Sequence, residues 1–511
     1  MSATATTEKK YLKWYQKLAY GSGDLASNCS YGLVSSFVLL YLTGTLGLDS
    51  AIIGSLMLAS KVLDGISDVI FGTLIDRTHS KLGKARPWML FGQVGVSLCL
   101  FLLFAIPAGS TTMQYIYFFI VYTALNAVFY TANGIAYSSL VALITKNNNE
   151  RVQLGSFRFM FAVVTNIFMG FAVTGMVEKF GSGAAGWRTT ALIFAIVGLV
   201  VNTISCLAVK ELPEEELSGN TSEAAEEGKA VAEEKKHGFA ETAKILVHNK
   251  YYLMILAIYI VYYIMSNLTT GAGVFCATYY WGDGSLLGQF SMMKMFPVII
   301  ALAFAPVLIK KTGSMQKVNF WGYAISSVLG IPMIYFAMQK NLSMFLLFMF
   351  IKGIFAGTLS GSLNALIAEA SGYTTRTTGV HMDGMMYSCS SLGVKVGGGI
   401  GTAAVGWLLK LGGFVGTATV QSESAIRMIF NLYITFPFVI GIIITVLLAF
   451  LDVEKANRSG MLNTRKRHRH DSTEFQRRLD GRKGRWQFPD EFLSGKYPDQ
   501  NRASALRCHD P

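Results

Sequence analysis

Twelve stretches of about twenty or more mostly apolar residues fill this chain. They lie near 18–46, 50–75, 88–108, 115–144, 158–178, 188–209, 251–281, 286–309, 318–338, 343–369, 379–411 and 425–451. A hydrocarbon core about 30 Å thick takes roughly 20 residues to cross as helix, and lipid offers no partner to an open backbone group. The expected fold is therefore all-α and integral to the membrane, with twelve transmembrane helices. Composition agrees: 15% of the 511 residues are charged and 52% are apolar or aromatic, against roughly 25% charged in a soluble domain. A net charge of +13 would suggest nucleic acid in a soluble chain, but with these spans no nucleic-acid partner is expected. Six cysteines (Cys29, Cys99, Cys206, Cys276, Cys389 and Cys508) stand far apart with no C-x-x-C spacing. That excludes a disulfide framework and a zinc site as leading ideas.

Lys and Arg concentrate in alternate loops, which sets the expected orientation. Arg77, Lys81, Lys84 and Arg86 follow span 2, Lys146 and Arg151 follow span 4, Lys310, Lys311 and Lys317 follow span 8, and Arg376 follows span 10. The opposite loops carry few positive charges, so both termini are expected in the cytoplasm, in a plasma membrane of bacterial inner-membrane type. The opening segment 1–17 is polar and basic, and the span after it is too long and too polar for a signal sequence, so no cleaved leader is expected. A polar connection, 210–250, divides the spans into six (18–209) and six (251–451), as expected of two halves rocking about a site between them. It reads as a solvated cytoplasmic linker. The tail 452–511 holds basic runs such as 465–470; lipid headgroups, disorder or an altered reading frame would each account for them, and no role is assigned.

Charges inside the spans are the informative residues. Asp64 and Asp68 lie four apart in span 2 and so share one helix face, with Lys61 a turn earlier. Each such charge at mid-span costs about 2.5–3.5 kcal/mol, so three would cost about 8 kcal/mol if unpaired. A structural cluster in which Lys61 pairs with one Asp still leaves a negative charge in excess. Two close carboxylates do not both ionise readily without a cation or a proton, so a Na⁺ or H⁺ site is expected here, with Asp64, Asp68 and the Ser67 hydroxyl as oxygen ligands if the ion is Na⁺. One charge moved down 100 mV yields about 2.3 kcal/mol, enough to concentrate a neutral solute roughly fiftyfold.

Lys395 stands among glycines in 393–399, with about sixteen residues of span on either side. Its ammonium is too deep to reach an interface easily, so it is expected to face a cavity. Asp24, Arg158 and Lys294 lie nearer span ends and are equally compatible with water or lipid heads. Tyr259, Tyr262 and Tyr263, then Tyr279, Tyr280 and Trp281, are read mainly as an interfacial belt.

The run Asp64-x-x-x-Asp68-x-x-x-Gly72-x-x-x-Asp76-Arg77-Thr78, continuing to Gly83-Lys84-x-Arg86-Pro87-Trp88, resembles the span 2 signature of the glycoside-pentoside-hexuronide:cation symporters. The likeness covers about 18–453 and includes Tyr20-Gly21, the segment 135–140, Arg158 and Lys395-Val396-Gly397. The resemblance implies a major facilitator fold of two six-helix bundles with a cavity between them. It implies a cation site at Asp64, Ser67, Asp68 and Thr131, and a substrate site at Asn28, Lys61, Asn133, Tyr137, Arg158, Ser391 and Lys395. It further implies a cytoplasmic gate at Asp76, Arg77, Lys84 and Arg86. Where the family carries two sugar-binding aspartates, this chain has Asn28 and either Gly134 or Asn133, and the stacking aromatic corresponds to Ser138 or Tyr137. Those departures weigh against a galactoside; a neutral glycoside or oligosaccharide fits an amide that both donates and accepts, and a uronate would be served by Lys395 and Arg158.

The expected function is Na⁺- or H⁺-coupled symport of a sugar or glycoside, with no cofactor beyond that ion, lipid as surroundings and a monomer as the working unit. Two alternatives are a symporter of a lysolipid or other non-sugar solute and a non-transporting glycoside sensor. No nucleophile is paired with a base and no metal-ligand spacing occurs, so an enzyme is not expected.

Overall fold

The computed structural model describes residues 9–213, 245–378, 383–418 and 420–457. The chain divides into two compact units, Met1–Val453 and Glu454–Pro511. The basic runs of the tail and most of the 210–250 linker lie outside the described residues. The first unit is helical, with no strand among the described residues.

In chain order its long helices are α1 (Trp14–Thr45), α2 (Ser50–Asp76), α3 (Arg86–Leu103), α4 (Thr111–Ile144), α5 (Asn148–Lys179) and α6 (Gly183–Leu207). After the linker come α7 (Lys250–Trp281), α8 (Leu286–Thr312), α9 (Met315–Met338), α10 (Leu342–Thr378) and α11 (Asp383–Leu411). The last, α12, runs from Glu423–Phe430 through a wider turn at Asn431–Thr435 into Phe436–Phe450. Eleven helices among the described residues are long and apolar enough to cross a membrane. The remaining long helix is α2, whose 27 residues suffice in length but are interrupted by Lys61, Asp64, Asp68 and Asp76.

Local chemistry sets the ends. Asp49, Ser110, Asn147, Asn249, Ser314 and Ser422 each accept first-turn amides with their side chains, capping α2, α4, α5, α7, α9 and α12. Gly313 ends α8 with φ of 65°, a left-handed conformation that a β-carbon would strain. The Asn147 cap starts α5 ten residues before the apolar run read in the sequence. Glu150 in its first turn accepts the amides of Tyr11 and Leu12, each at 3.2 Å, and meets Lys17 at 3.0 Å. The N-terminal segment is thereby tied to the α4–α5 loop, one of the two basic loops of the first half.

Helices α1–α6 pack among themselves and α7–α12 among themselves, and the two groups meet along α2–α11, α5–α8 and α1–α7. Small residues make those meetings close. α11 presents Gly393, Gly397 and Gly401 to α7, where a β-carbon at Gly401 would stand 2.7 Å from the Ile264 carbonyl. Its other side presents Gly399, Ala403 and Gly406 to α2, where a β-carbon at Gly54 would stand 2.7 Å from the Ala403 oxygen. α5 and α8 meet at Gly170 and Gly288, where a β-carbon at Gly170 would lie 2.7 Å from the Gly288 Cα. Without water to drive association, such backbone-close contacts hold membrane helices together.

Candidate functional site

The charges of α2 point at the seam between the groups. Lys61, Asp64 and Asp68 recur at helical spacing, so one face carries all three. Lys61 Nζ lies 3.4 Å from Asp64 Oδ2. Lys395, reaching across from α11, forms an ion pair with Asp68 and donates to the Asp64 carbonyl at 2.7 Å. The Gly65 side of α2 admits the Lys395 stem, and Gly399 lies against the Lys61 stem. The excess negative charge expected from α2 alone is thus offset by a lysine of the other half, giving two carboxylates and two ammonium groups. Lys395, expected to face a cavity, is placed instead against the acidic pair.

Thr131 approaches the same carboxylate from α4. Its Oγ1 lies 2.7 Å from Asp64 Oδ1 and 2.9 Å from the Asn126 carbonyl. That second contact spans five residues because α4 widens into π-helical turns over Ala124–Tyr130, a distortion frequent at functional sites. One hydroxyl has one proton to donate, so the two acceptors compete for it. Ser67, expected as a ligand, donates to the Asp64 carbonyl at 2.9 Å and so turns back on its own helix. Among the described residues no group of three or more His, Cys, Asp or Glu is placed to hold a metal.

A second charged cluster lies in the first half. Arg158 Nε meets Asp24 Oδ2 at 2.6 Å, and its guanidinium covers the Tyr137 ring at 4.2 Å. Asn28 donates to the Asp24 carbonyl at 2.7 Å and accepts from Asn166 at 3.0 Å. Asp24, left open in the sequence, is therefore the counter-ion of Arg158, one turn before Asn28. Asn166 is a partner that no sequence signal marked.

Three expected substrate residues are placed differently. Tyr137 is buried, with Arg158 over its ring and the Tyr20 ring 4.7 Å away, and its hydroxyl is taken by the Tyr20 carbonyl at 2.7 Å. It has no free face for a sugar. Asn133 is buried inside the first half, donating to Gln93 of α3 at 2.6 Å, and so is turned from the seam. Ser391 is exposed on α11, one turn before Lys395. The expected gate residues Asp76 and Arg77 are exposed. The amides of Lys84, Ala85 and Arg86 bind the Glu211 carboxylate at 2.7–3.0 Å, and Arg86 Nε donates to the Cys206 carbonyl. These contacts lie within the first half and tie its α2–α3 loop to the end of α6. The belt reading also changes: Tyr259 donates to Asn364 at 2.9 Å and Tyr262 bonds Ser360 at 2.7 Å, inside the second half.

The halves also meet at the Ser50 end of α2. Ser50 Oγ donates to the Gly406 carbonyl at 2.9 Å, Trp407 Nε1 donates to Ser55 Oγ at 2.9 Å, and Lys410 lies 2.6 Å from Asp49. Burial alone would push the Asp49 carboxyl up. The Lys410 ammonium and the Ala51 and Ile52 amides outweigh it, and the group sits below its ordinary value of 3.8. Between the halves a cavity of about 50 Å³ is lined by Gly32, Ser36 and Asn166 on one side and Thr269, Lys294 and Tyr433 on the other. A larger one, about 180 Å³, lies within the second half.

Residues 19–455 match the family described as MFS/sugar transport protein. The chain belongs to that family. The MFS resemblance read from α2 is upheld, and the protein is a membrane transporter rather than an enzyme. It is 25% identical over 464 residues to the isoprimeverose transporter of Lactiplantibacillus pentosus, covering 90% of this chain and 93% of that one. It is 24% identical over 426 residues to the inner membrane symporter YicJ of Escherichia coli, covering 83% and 88%. Among solved structures, a bacterial homolog of the human lysosomal transporter Spinster has a similar fold, with a TM-score of 0.60 at 14% identity, covering 88% of this chain and 97% of that one.

Proposed function

We propose that this protein couples inward movement of Na⁺ or H⁺ to that of a sugar or glycoside, by alternating access between two six-helix halves of a twelve-span protein. It works in a plasma membrane of bacterial inner-membrane type with both termini in the cytoplasm. The observation that carries this reading is Lys395 of the second half neutralising Asp68 of the first. A cation or proton arriving at the acidic pair competes with that ammonium. Ion binding thereby changes what holds the halves together, which is what coupling requires. Solute enters between the halves, near Asn28, Asn166 and Arg158. The meeting of Ser50, Ser55 and Asp49 with α11 closes the outer face, while the Lys84–Arg86 segment bound to Glu211 belongs to the inner face. Relatives named as symporters and as an isoprimeverose transporter support the solute class.

The test is uptake into proteoliposomes of purified protein from a panel of labelled saccharides under separate Na⁺ and H⁺ gradients. Uptake that follows one gradient, and that Asp68→Asn abolishes while leaving protein yield and solute exchange intact, is expected. Uptake by Asp68→Asn that remains fully gradient-driven would overturn the coupling assignment. Binding of a saccharide without counterflow would mark a sensor instead.

A further inference from the structure

Every other intramembrane cation described above has a carboxylate against it: Lys61 has Asp64, Arg158 has Asp24 and Lys395 has Asp68. Lys294 of α8 and Lys352 of α10 do not fit that pattern. Both line the larger cavity, about 180 Å³, inside the second half, and neither the residues lining it nor those lining the cavity between the halves include an Asp or Glu. The walls come from α7, α8, α9, α10 and α12. These helices contain no acidic residue on the cavity-lining stretches, and Glu369 of α10 lies seventeen residues beyond Lys352, about 25 Å along the helix.

The two lysines share one level of the bundle. Gly353, next to Lys352, lies so close to α8 that a β-carbon on it would stand 2.8 Å from Pro297 Cβ and 3.7 Å from the Met293 carbonyl. Met293 is the neighbour of Lys294. Hydroxyls surround the pair: Lys294 Nζ donates to Thr269 and Thr270 at 3.2 and 3.3 Å, and Tyr262, Ser266, Ser326 and Tyr323 line the same space. Thr269, Lys294 and Tyr433 also line the cavity between the halves, so the inner chamber adjoins the path proposed for solute. Its volume, about 180 Å³, is roughly twelve to eighteen times the 10–15 Å³ that one water needs.

From this geometry we infer that Lys294 and Lys352 form an oxyanion subsite in the second half, taking a carboxylate, sulfonate or similar group presented from the seam. The inference goes beyond the symport reading and rests on it only in taking the seam as the solute path. Two ammonium groups with hydroxyl neighbours and no acid are completed by a negatively charged, multiply accepting group, since charge-assisted hydrogen bonds are the stronger ones. The anion is either an end of the solute itself or a free ion bound beside a neutral solute.

Equilibrium binding to the purified full-length protein, read by thermal shift and intrinsic fluorescence without any ion gradient, separates these. The probes are glucuronate, glucose, sodium sulfate and sodium chloride at constant ionic strength. Sulfate or glucuronate is expected to bind roughly tenfold or more tighter to the wild type than to Lys294→Met or Lys352→Met, with Lys294→Arg and Lys352→Arg retaining most of the affinity. Glucuronate tighter than both glucose and sulfate assigns the anion to the solute; sulfate alone assigns it to a free ion. Equal binding of sulfate, glucuronate and chloride by the wild type and both Met variants, each melting as the wild type does without probe, overturns the subsite. Asp68→Asn keeps the subsite, so gradient-driven uptake that survives in Asp68→Asn with intact oxyanion binding refutes the coupling reading alone, and uptake lost in Asp68→Asn with oxyanion binding equal in the wild type and both Met variants refutes the subsite alone.

Discussion

Lys395→Met removes the α11 side chain that ties the acidic pair of α2 to α11 while keeping a stem of similar length. The ammonium makes two contacts there, the ion pair with Asp68 and the 2.7 Å bond to the Asp64 carbonyl. The Lys395 side chain is 20% exposed and that of Asp68 39%, so the low end of each scale applies. The pair is worth about 0.5 kcal/mol and the charge-assisted bond about 1.5 kcal/mol. Losing about 2 kcal/mol shifts an equilibrium roughly thirtyfold. Ser50 lies 14 residues before Asp64 on the same helix, about 21 Å away, and is buried against Gly406. A Ser50→Cys reporter, attacked by an impermeant maleimide, reads how often that contact opens, and protein lacking the reporter gives the background. The labelling rate is expected to rise about thirtyfold when Lys395→Met is added. An unchanged rate would mean that the ion pair does not hold the halves together, and the proposed exchange between Lys395 and the coupling ion would fail with it.

Three further outcomes follow from the same geometry. The Asp49 carboxyl is lowered from 3.8 by Lys410 and the α2 amides, so its contribution to the contact is complete above about pH 4 and is lost as pH falls through the lowered value; Ser50→Cys labelling, taken relative to a fully exposed thiol at the same pH because only the thiolate reacts, is expected to rise only below pH 4, and a relative rise centred near neutrality would refute this origin. Gly406→Val places a side chain where the Ser50 carbonyl already lies, so it should leave that reporter reactive and stop transport, whereas Gly134→Ala, with nothing within 4 Å of the added carbon, should do neither. Thr131→Val takes away the hydroxyl 2.7 Å from Asp64; the concentration of coupling ion giving half-maximal uptake should move about tenfold, the loss of one charge-assisted bond, and an unmoved value would remove Thr131 from the ion site.

The spans were legible because lipid imposes one rule on every segment, and apolar length reads it directly. α2 shows the limit of that rule: its four charges interrupt the apolar run, yet their spacing revealed a common face. What spacing within α2 could not reveal was the partner, because Lys395 lies 327 positions after Asp68 and only packing of α11 on α2 joins them. The same limit explains Tyr137 and Asn133. Both lie on α4 beside Thr131, but a helix has several faces, and theirs turn toward Tyr20 and Gln93. Asp24 and Lys294 looked like residues near span ends, and Lys352 carried no motif at all. Each acquired meaning from a neighbour on another helix: Arg158 for the first, the shared cavity for the other two.

The α2–α11 seam combines two kinds of attraction with different ranges, and this bears on how it opens. At Gly54, Ala403 and Gly406 backbone meets backbone with no side chain between. Such contact is short-ranged: a gap of 0.5–1 Å forfeits about a quarter to a half of its dispersion energy. The Lys395 pairing falls only as the inverse of distance, and a four-carbon stem lets the ammonium follow a retreating carboxylate. Early separation of the halves therefore costs the glycine contacts first, while the charge pairing still draws them back together. In the proposed symport, an ion that occupied Asp64 and Asp68 would remove the longer-ranged restraint and leave the shorter-ranged one. The seam then opens or closes according to how well the backbones fit, which is the property that solute seated between the halves can change.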